Sequence, residues 1–128
     1  MHMAWIRTVS GRFKSDYRYS AAVVYNNYPW PAPLAAKERA AIEACAQAVL
    51  DARAAFPGST LADLYDPLAK AHAALDRATD RAYATAAGIK GSDPFPTDRA
   101  RVEHLFALYE KLTAPLLPAT KAPKAKRR

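Results

Sequence analysis

The sequence predicts a mainly α chain: a small antiparallel helical bundle preceded by a short amino-terminal helix and a β-ribbon. Three observations carry this expectation. Apolar residues recur at helical spacing through three stretches after residue 33. Strict two-residue alternation is confined to residues 12–19. Proline or glycine punctuates the junctions between helices. The 128 residues amount to one domain's worth of chain, which buries roughly two-thirds of the surface exposed when unfolded.

Residues 1–10 read as the end of a short helix, with Met1, Trp5 and Val9 at four-residue spacing and Gly11 as the stop. An opening on the last turns of a helix predicts a piece of a larger protein. In residues 12–19, Phe13, Ser15, Tyr17 and Tyr19 fall on one face of a ribbon. Arg12, Lys14, Asp16 and Arg18 fall on the other. A second strand is expected at Ala22–Tyr25, ended by Asn26-Asn27 and by Pro29-Trp30-Pro31. Two strands alone are marginal in water, so a partner sheet is expected from outside this sequence.

After Pro33 the period becomes helical. Ile42, Cys45, Ala46, Val49 and Phe56 form a stripe over Lys37–Phe56, which Pro57-Gly58 ends. Ser59 or Thr60 caps a short turn at Leu61–Tyr65, with Asp63 placed as in a capping box. A long helix follows from about Pro67 to Ala87, with Leu68, His72, Leu75, Ala82 and Tyr83 inward. Gly88 and Gly91 open a loop through Pro94 and Pro96. Thr97 then caps Asp98–Thr113, whose stripe is Val102, Leu105, Phe106, Tyr109 and Leu112. Short connections suggest antiparallel neighbours. The tail from Pro115 is rich in Pro, Ala and Lys and is expected to be disordered. The organisation read from this is 1–33, 34–114 and a basic tail at 115–128.

The net charge of +7 is unevenly distributed. Residues 1–31 carry +3, residues 115–128 carry +5 and the stretch between carries −1. A polyanion should therefore meet the ends. One cysteine, Cys45, excludes an intrachain disulfide and fits a reducing compartment. No uncharged stretch free of proline is long enough to span a membrane, and residues 1–7 lack the apolar core of a signal peptide. These features predict a soluble, cytoplasmic protein with no membrane partner.

No catalytic constellation is present. Glycine occurs only at 11, 58, 88 and 91, so no Gly-rich cofactor loop is formed. Asn26-Asn27-Tyr28-Pro29 is not the Asn/Asp-Pro-Pro-aromatic loop that holds a flipped base. His2, His72 and His104 lack partners at metal-ligand spacing, and no metal is expected. Asp66 and Lys70 lack the further carboxylates of a nuclease site. Cys45 reads as core filling on a helix stripe.

The ribbon is the candidate site. A two-stranded ribbon fits the DNA major groove, where Lys donates to guanine O6/N7 and Asp accepts from cytosine N4. Lys14 and Asp16, two residues apart, are thus candidates to read the two partners of one G·C pair. Arg12 and Arg18 are candidates to hold phosphates. Solvation alone also produces a charged strand face.

Four stretches add a resemblance. They are Met1-His2-Met3-Ala4-Trp5-Ile6-Arg7; Gly11-Arg12-Phe13-Lys14-Ser15-Asp16-Tyr17-Arg18-Tyr19-Ser20; Val24-Tyr25-Asn26-Asn27-Tyr28-Pro29-Trp30-Pro31; and a run from Leu61-Ala62-Asp63-Leu64-Tyr65-Asp66-Pro67 to Leu105-Phe106 and Tyr109. In order and spacing they resemble the end of the target-recognition domain plus the carboxy-terminal helical domain of MmeI-like enzymes. The segment between Pro67 and Lys70 is shorter than in the family, and the Gly88–Pro96 loop is irregular.

The resemblance implies a restriction–modification adenine-N6 DNA methyltransferase that uses S-adenosylmethionine, often with a fused endonuclease. It implies that Lys14 and Asp16 match the family's base-reading pair, with guanine facing the lysine. The expected function is a non-catalytic, DNA-recognising and structural part of such an enzyme. Double-stranded DNA is one expected partner, and the methyltransferase portion as a separate chain is another. The competing reading is a helical interaction module, or an inactive remnant, that does not meet DNA.

Overall fold

The computed structural model describes residues 1–60 and 65–116. The chain runs α1 (His2–Val9), β1 (Gly11–Phe13), β2 (Asp16–Arg18), a π-helix (Ala21–Tyr25), α2 (Ala36–Ala54), α3 (Tyr65–Ala87) and α4 (Asp98–Thr113), with a 3-10 turn at Ala114–Leu116. The mainly α reading holds. The expected turn at Leu61–Tyr65 falls largely outside the described residues, as does the tail from residue 117. The first residues of that expected disordered tail are helical, continuing α4.

The ends of α3 and α4 follow signals in the sequence. Thr97 Oγ accepts from the Ala100 amide at 3.2 Å, closing the start of α4. Pro67 lies in the first turn of α3, where a missing backbone N–H costs no hydrogen bond, so α3 begins two residues earlier than expected. Its end is a glycine stop: Gly88 takes φ +70, its amide donates to the Thr85 carbonyl and the Ile89 amide to the Ala84 carbonyl.

The expected strand at Ala22–Tyr25 is instead the π-helix. The two-stranded sheet offers no further partner for these residues, and local groups satisfy a helical turn. Ser20 Oγ accepts from the Val23 amide, the Asn26 amide reaches the Ala21 carbonyl at 2.8 Å, and Asn27 Nδ2 donates to the Ala22 and Val23 carbonyls.

The helices α2 and α3 lie antiparallel, with Val49 of α2 against Leu68 of α3 and Lys37 near Arg81. Their shared cluster is small. The larger core lies elsewhere and contains Met1, Trp5, Ile6, Val24, Tyr28, Tyr83, Ala84, Phe95 and Leu105. It draws on residues from both sides of the junction expected near residue 33. The His72 side chain, expected inward, is exposed, as is Phe56, which lies beyond the end of α2.

Trp5 sits at the centre of the main core. Its ring lies 5.3 Å from Phe106, 6.0 Å from Tyr109 and 6.2 Å from Tyr28. Its indole Nε1 donates to the Val24 carbonyl at 3.1 Å, so the π-helix hangs from α1. The Tyr83 hydroxyl donates to the Pro29 carbonyl at 2.9 Å, fixing the Tyr-Pro-Trp-Pro segment to α3. Burial pushes the pKa of the Tyr28 hydroxyl up to about 12, so it stays protonated at neutral pH.

Charge pairs close the periphery. Arg101 Nη2 lies 2.7 Å from Asp80 Oδ2, joining α4 to α3, and Arg7 pairs with Asp98, joining α1 to α4. Asp80 is buried, so its pairing offsets a desolvation cost that an isolated carboxylate could not bear.

Two predictions follow from this core. Leu105→Ala should cost about 3 kcal/mol, read by denaturant unfolding, because the side chain is fully buried and cannot relax into solvent. Burial lowers the pKa of both His2 and His104 below the ordinary 6.5. The unfolded chain therefore binds more protons below that pH, and stability present above 6.5 is lost as the pH falls through it. The thermal midpoint should decline on acidification through this window, and His104→Gln should reduce the decline.

Candidate nucleic-acid interface

The candidate residues lie on an antiparallel hairpin. Gly11 faces Arg18, Arg12 faces Tyr17 and Phe13 faces Asp16, with Lys14 and Ser15 forming the turn. Directly opposed residues share a face. Arg12 and Tyr17 thus occupy one face, and Phe13, Asp16 and Arg18 the other. The expected single charged face over residues 12–18 is split. The chain reverses at Lys14, which interrupts the alternation.

The turn has an unusual residue at its bend. Lys14 takes φ 55, a left-handed conformation that costs an L-residue on the order of 1 kcal/mol. Two-residue hairpin loops favour Asn-Gly or Gly at such positions. Lys-Ser is not a recognisable turn signal, which is why alternation alone reads as one continuous strand.

The hairpin is anchored on one face and open on the other. Tyr17 is half-buried and packs against the main core. The Arg12 guanidinium carbon lies 4.5 Å above the Tyr17 ring centroid, while its Nη2 donates to the Tyr17 hydroxyl at 2.9 Å. Arg12 is therefore held at the hairpin's edge. On the opposite face Phe13 is 73% exposed, and Asp16 and Arg18 are exposed with it. Among the described residues, Lys14, Asp16 and Arg18 form no ion pair with each other or with any other side chain. Their hydrogen-bonding groups are thus available to a ligand. A cation and a carboxylate flanking Ser15 at an exposed tip supply the donor and acceptor that a G·C edge presents in reverse.

Other candidates are not brought together. Among the described residues, no three His, Cys, Asp or Glu side chains gather where they could hold a metal ion. Cys45 is half-buried on α2. Each of the four glycines has open space where a Cβ would stand. Among the described residues, no helix is long and apolar enough to cross a membrane.

Comparison with known proteins identifies the family. Residues 34–117 match the family described as MmeI, C-terminal domain, and residues 1–32 match MmeI, target recognition domain. The chain belongs to the MmeI family. A relative named DNA methyltransferase A, from Bacillus subtilis (strain 168), is 40% identical over 119 residues, covering 88% of this chain and 12% of the relative. A solved type IIL restriction-modification enzyme, MmeI in complex with DNA, is 44% identical with a TM-score of 0.72. That match covers 88% of this chain and 15% of the other. The chain thus spans a small part of the length of these MmeI-family relatives.

Removing the strain at the tip separates stability from contact. Lys14→Gly should stabilise the chain by about 0.5–1 kcal/mol in thermal unfolding, since glycine takes positive φ freely. An unchanged or lower midpoint would mean that the bend carries no strain.

Proposed function

We propose that this chain forms part of the DNA-reading surface of an adenine-N6 DNA methyltransferase of a restriction–modification system, and is itself non-catalytic. One observation carries the reading: an exposed, unpaired Lys14 and Asp16 at a hairpin tip anchored to the core through Tyr17. In this reading Lys14 donates to guanine and Asp16 accepts from the paired cytosine, while Arg18 holds a phosphate on the open face. Arg12 serves from the hairpin edge, where Tyr17 limits its reach.

The methyl transfer, with its S-adenosylmethionine, belongs to polypeptide outside this sequence. Tyr25 and Trp30 support a second partner. Their rings are 5.9 Å apart and both are about half exposed, which suits a contact with the methyltransferase portion, supplied as a separate chain.

Binding to duplex DNA should fall steeply with salt. Arg18→Ala should lower the slope of log affinity against log salt by about 0.9, the signature of one lost phosphate contact. Arg12→Ala should have a similar effect and also loosen the hairpin. With the methyltransferase portion restored, the paired exchange Lys14→Glu/Asp16→Arg should change which base pair is accepted, as read by methylation of substrates differing at single positions. Retention of the original preference would remove the base-reading role.

A further inference from the structure

Counted along the sequence, the cationic excess sits at the ends and the stretch between carries −1. In space that middle stretch is not balanced. The antiparallel pair α2 and α3 forms a shallow groove of about 260 Å³, lined by small residues such as Ala41, Ala74 and Ala78. Lys37, Arg77 and Arg81 stand around it against a single carboxylate, Glu38.

Several acids of that stretch do not line the groove. Asp80 and Asp98 are taken by Arg101 and Arg7, and Glu103 by Arg99. Asp76 and Asp93 line the adjoining concavity with Asp80 and Arg101, and Arg77 and Arg81 form the ridge between the two. Among the described residues, Lys37, Arg77 and Arg81 have no ion-pair partner of their own.

We infer that the groove bearing Lys37, Arg77 and Arg81 grips the sugar–phosphate backbone of duplex DNA, as a second contact separate from the hairpin. The inference rests on reading the chain as DNA-binding. Arg77 and Arg81, one turn apart, are offset by about 6 Å along α3, within reach of neighbouring phosphates on one strand. A guanidinium fork matches the planar acceptors of a phosphate, and small lining residues let a backbone approach without steric cost. The three cations offer no acceptor for a base edge, so this contact adds affinity and orientation but no sequence preference.

The test uses the full chain and a random-sequence DNA duplex, titrated by fluorescence anisotropy over a series of salt concentrations. The variant Lys37→Ala/Arg77→Ala/Arg81→Ala should flatten the salt slope by about 2.7, from about 0.9 per lost contact, and weaken binding alike for every sequence. Arg77→Lys/Arg81→Lys should keep most of the slope, since the charge remains. If the triple variant binds like the unaltered chain while Arg18→Ala still weakens binding, the groove contact is overturned and the hairpin reading stands. If the unaltered chain shows no salt-dependent binding, both are overturned. Should the triple variant lose its helicity by circular dichroism, Arg81→Glu decides the matter. A reversed charge on the ridge must weaken binding if DNA lies there, and undiminished binding rejects the contact.

Discussion

The Trp5 indole joins the parts of this molecule that sequence distance keeps apart. Its ring fills the space between α1 and α4 beside Phe106 and Tyr109, and its nitrogen satisfies the Val24 carbonyl. A buried indole N–H without an acceptor, or a buried carbonyl without a donor, would cost about 1–3 kcal/mol each. One hydrogen bond removes both costs and at the same time sets where the chain emerges from the π-helix. Tyr28 then meets Trp5 from the other side, and Tyr83 takes the Pro29 carbonyl. The hairpin inherits its position from this arrangement, because Tyr17 rests on the same cluster.

Most of the helical architecture was legible because helix periodicity and punctuation agree. Thr97, Gly88 and Leu105 each signal their element independently and the packing agrees with them, although Leu112 of the same expected stripe is 51% exposed. The parts that were not legible share one physical cause: their conformation is decided by groups distant in sequence or by unusual backbone. Val24 looks like a strand residue by β-branching, but Asn27 and Trp5 satisfy its neighbourhood as a helix. Phe95 lies between two prolines in a loop with no periodicity, yet it is buried 4.9 Å from the His104 ring.

The exposure of the candidate residues was legible in the sequence, and the shape of the hairpin that carries them was not. Lys14, Asp16 and Arg18 are the exposed, unpaired groups of the hairpin, as their charge pattern suggests. Their arrangement on a single strand face does not survive, since no glycine or asparagine marks the reversal at Lys14. Pairing of Arg12 with Tyr17 likewise follows from register, which alternation cannot supply. The cationic groove between α2 and α3 was hidden for a different reason. Charge counted along a chain averages over helix faces that point in different directions.

The shared core also bears on how recognition could be redesigned. The segment matched by the target recognition family and the segment matched by the C-terminal family contribute side chains to one hydrophobic cluster. A chimaera joined near residue 33 would unite two half-cores that never evolved together, and misfit there would displace the tip before it met any base. Grafting only the residues around Ser15 leaves that cluster intact. On the proposed reading, specificity is exchanged at the scale of a loop, not at the scale of a module.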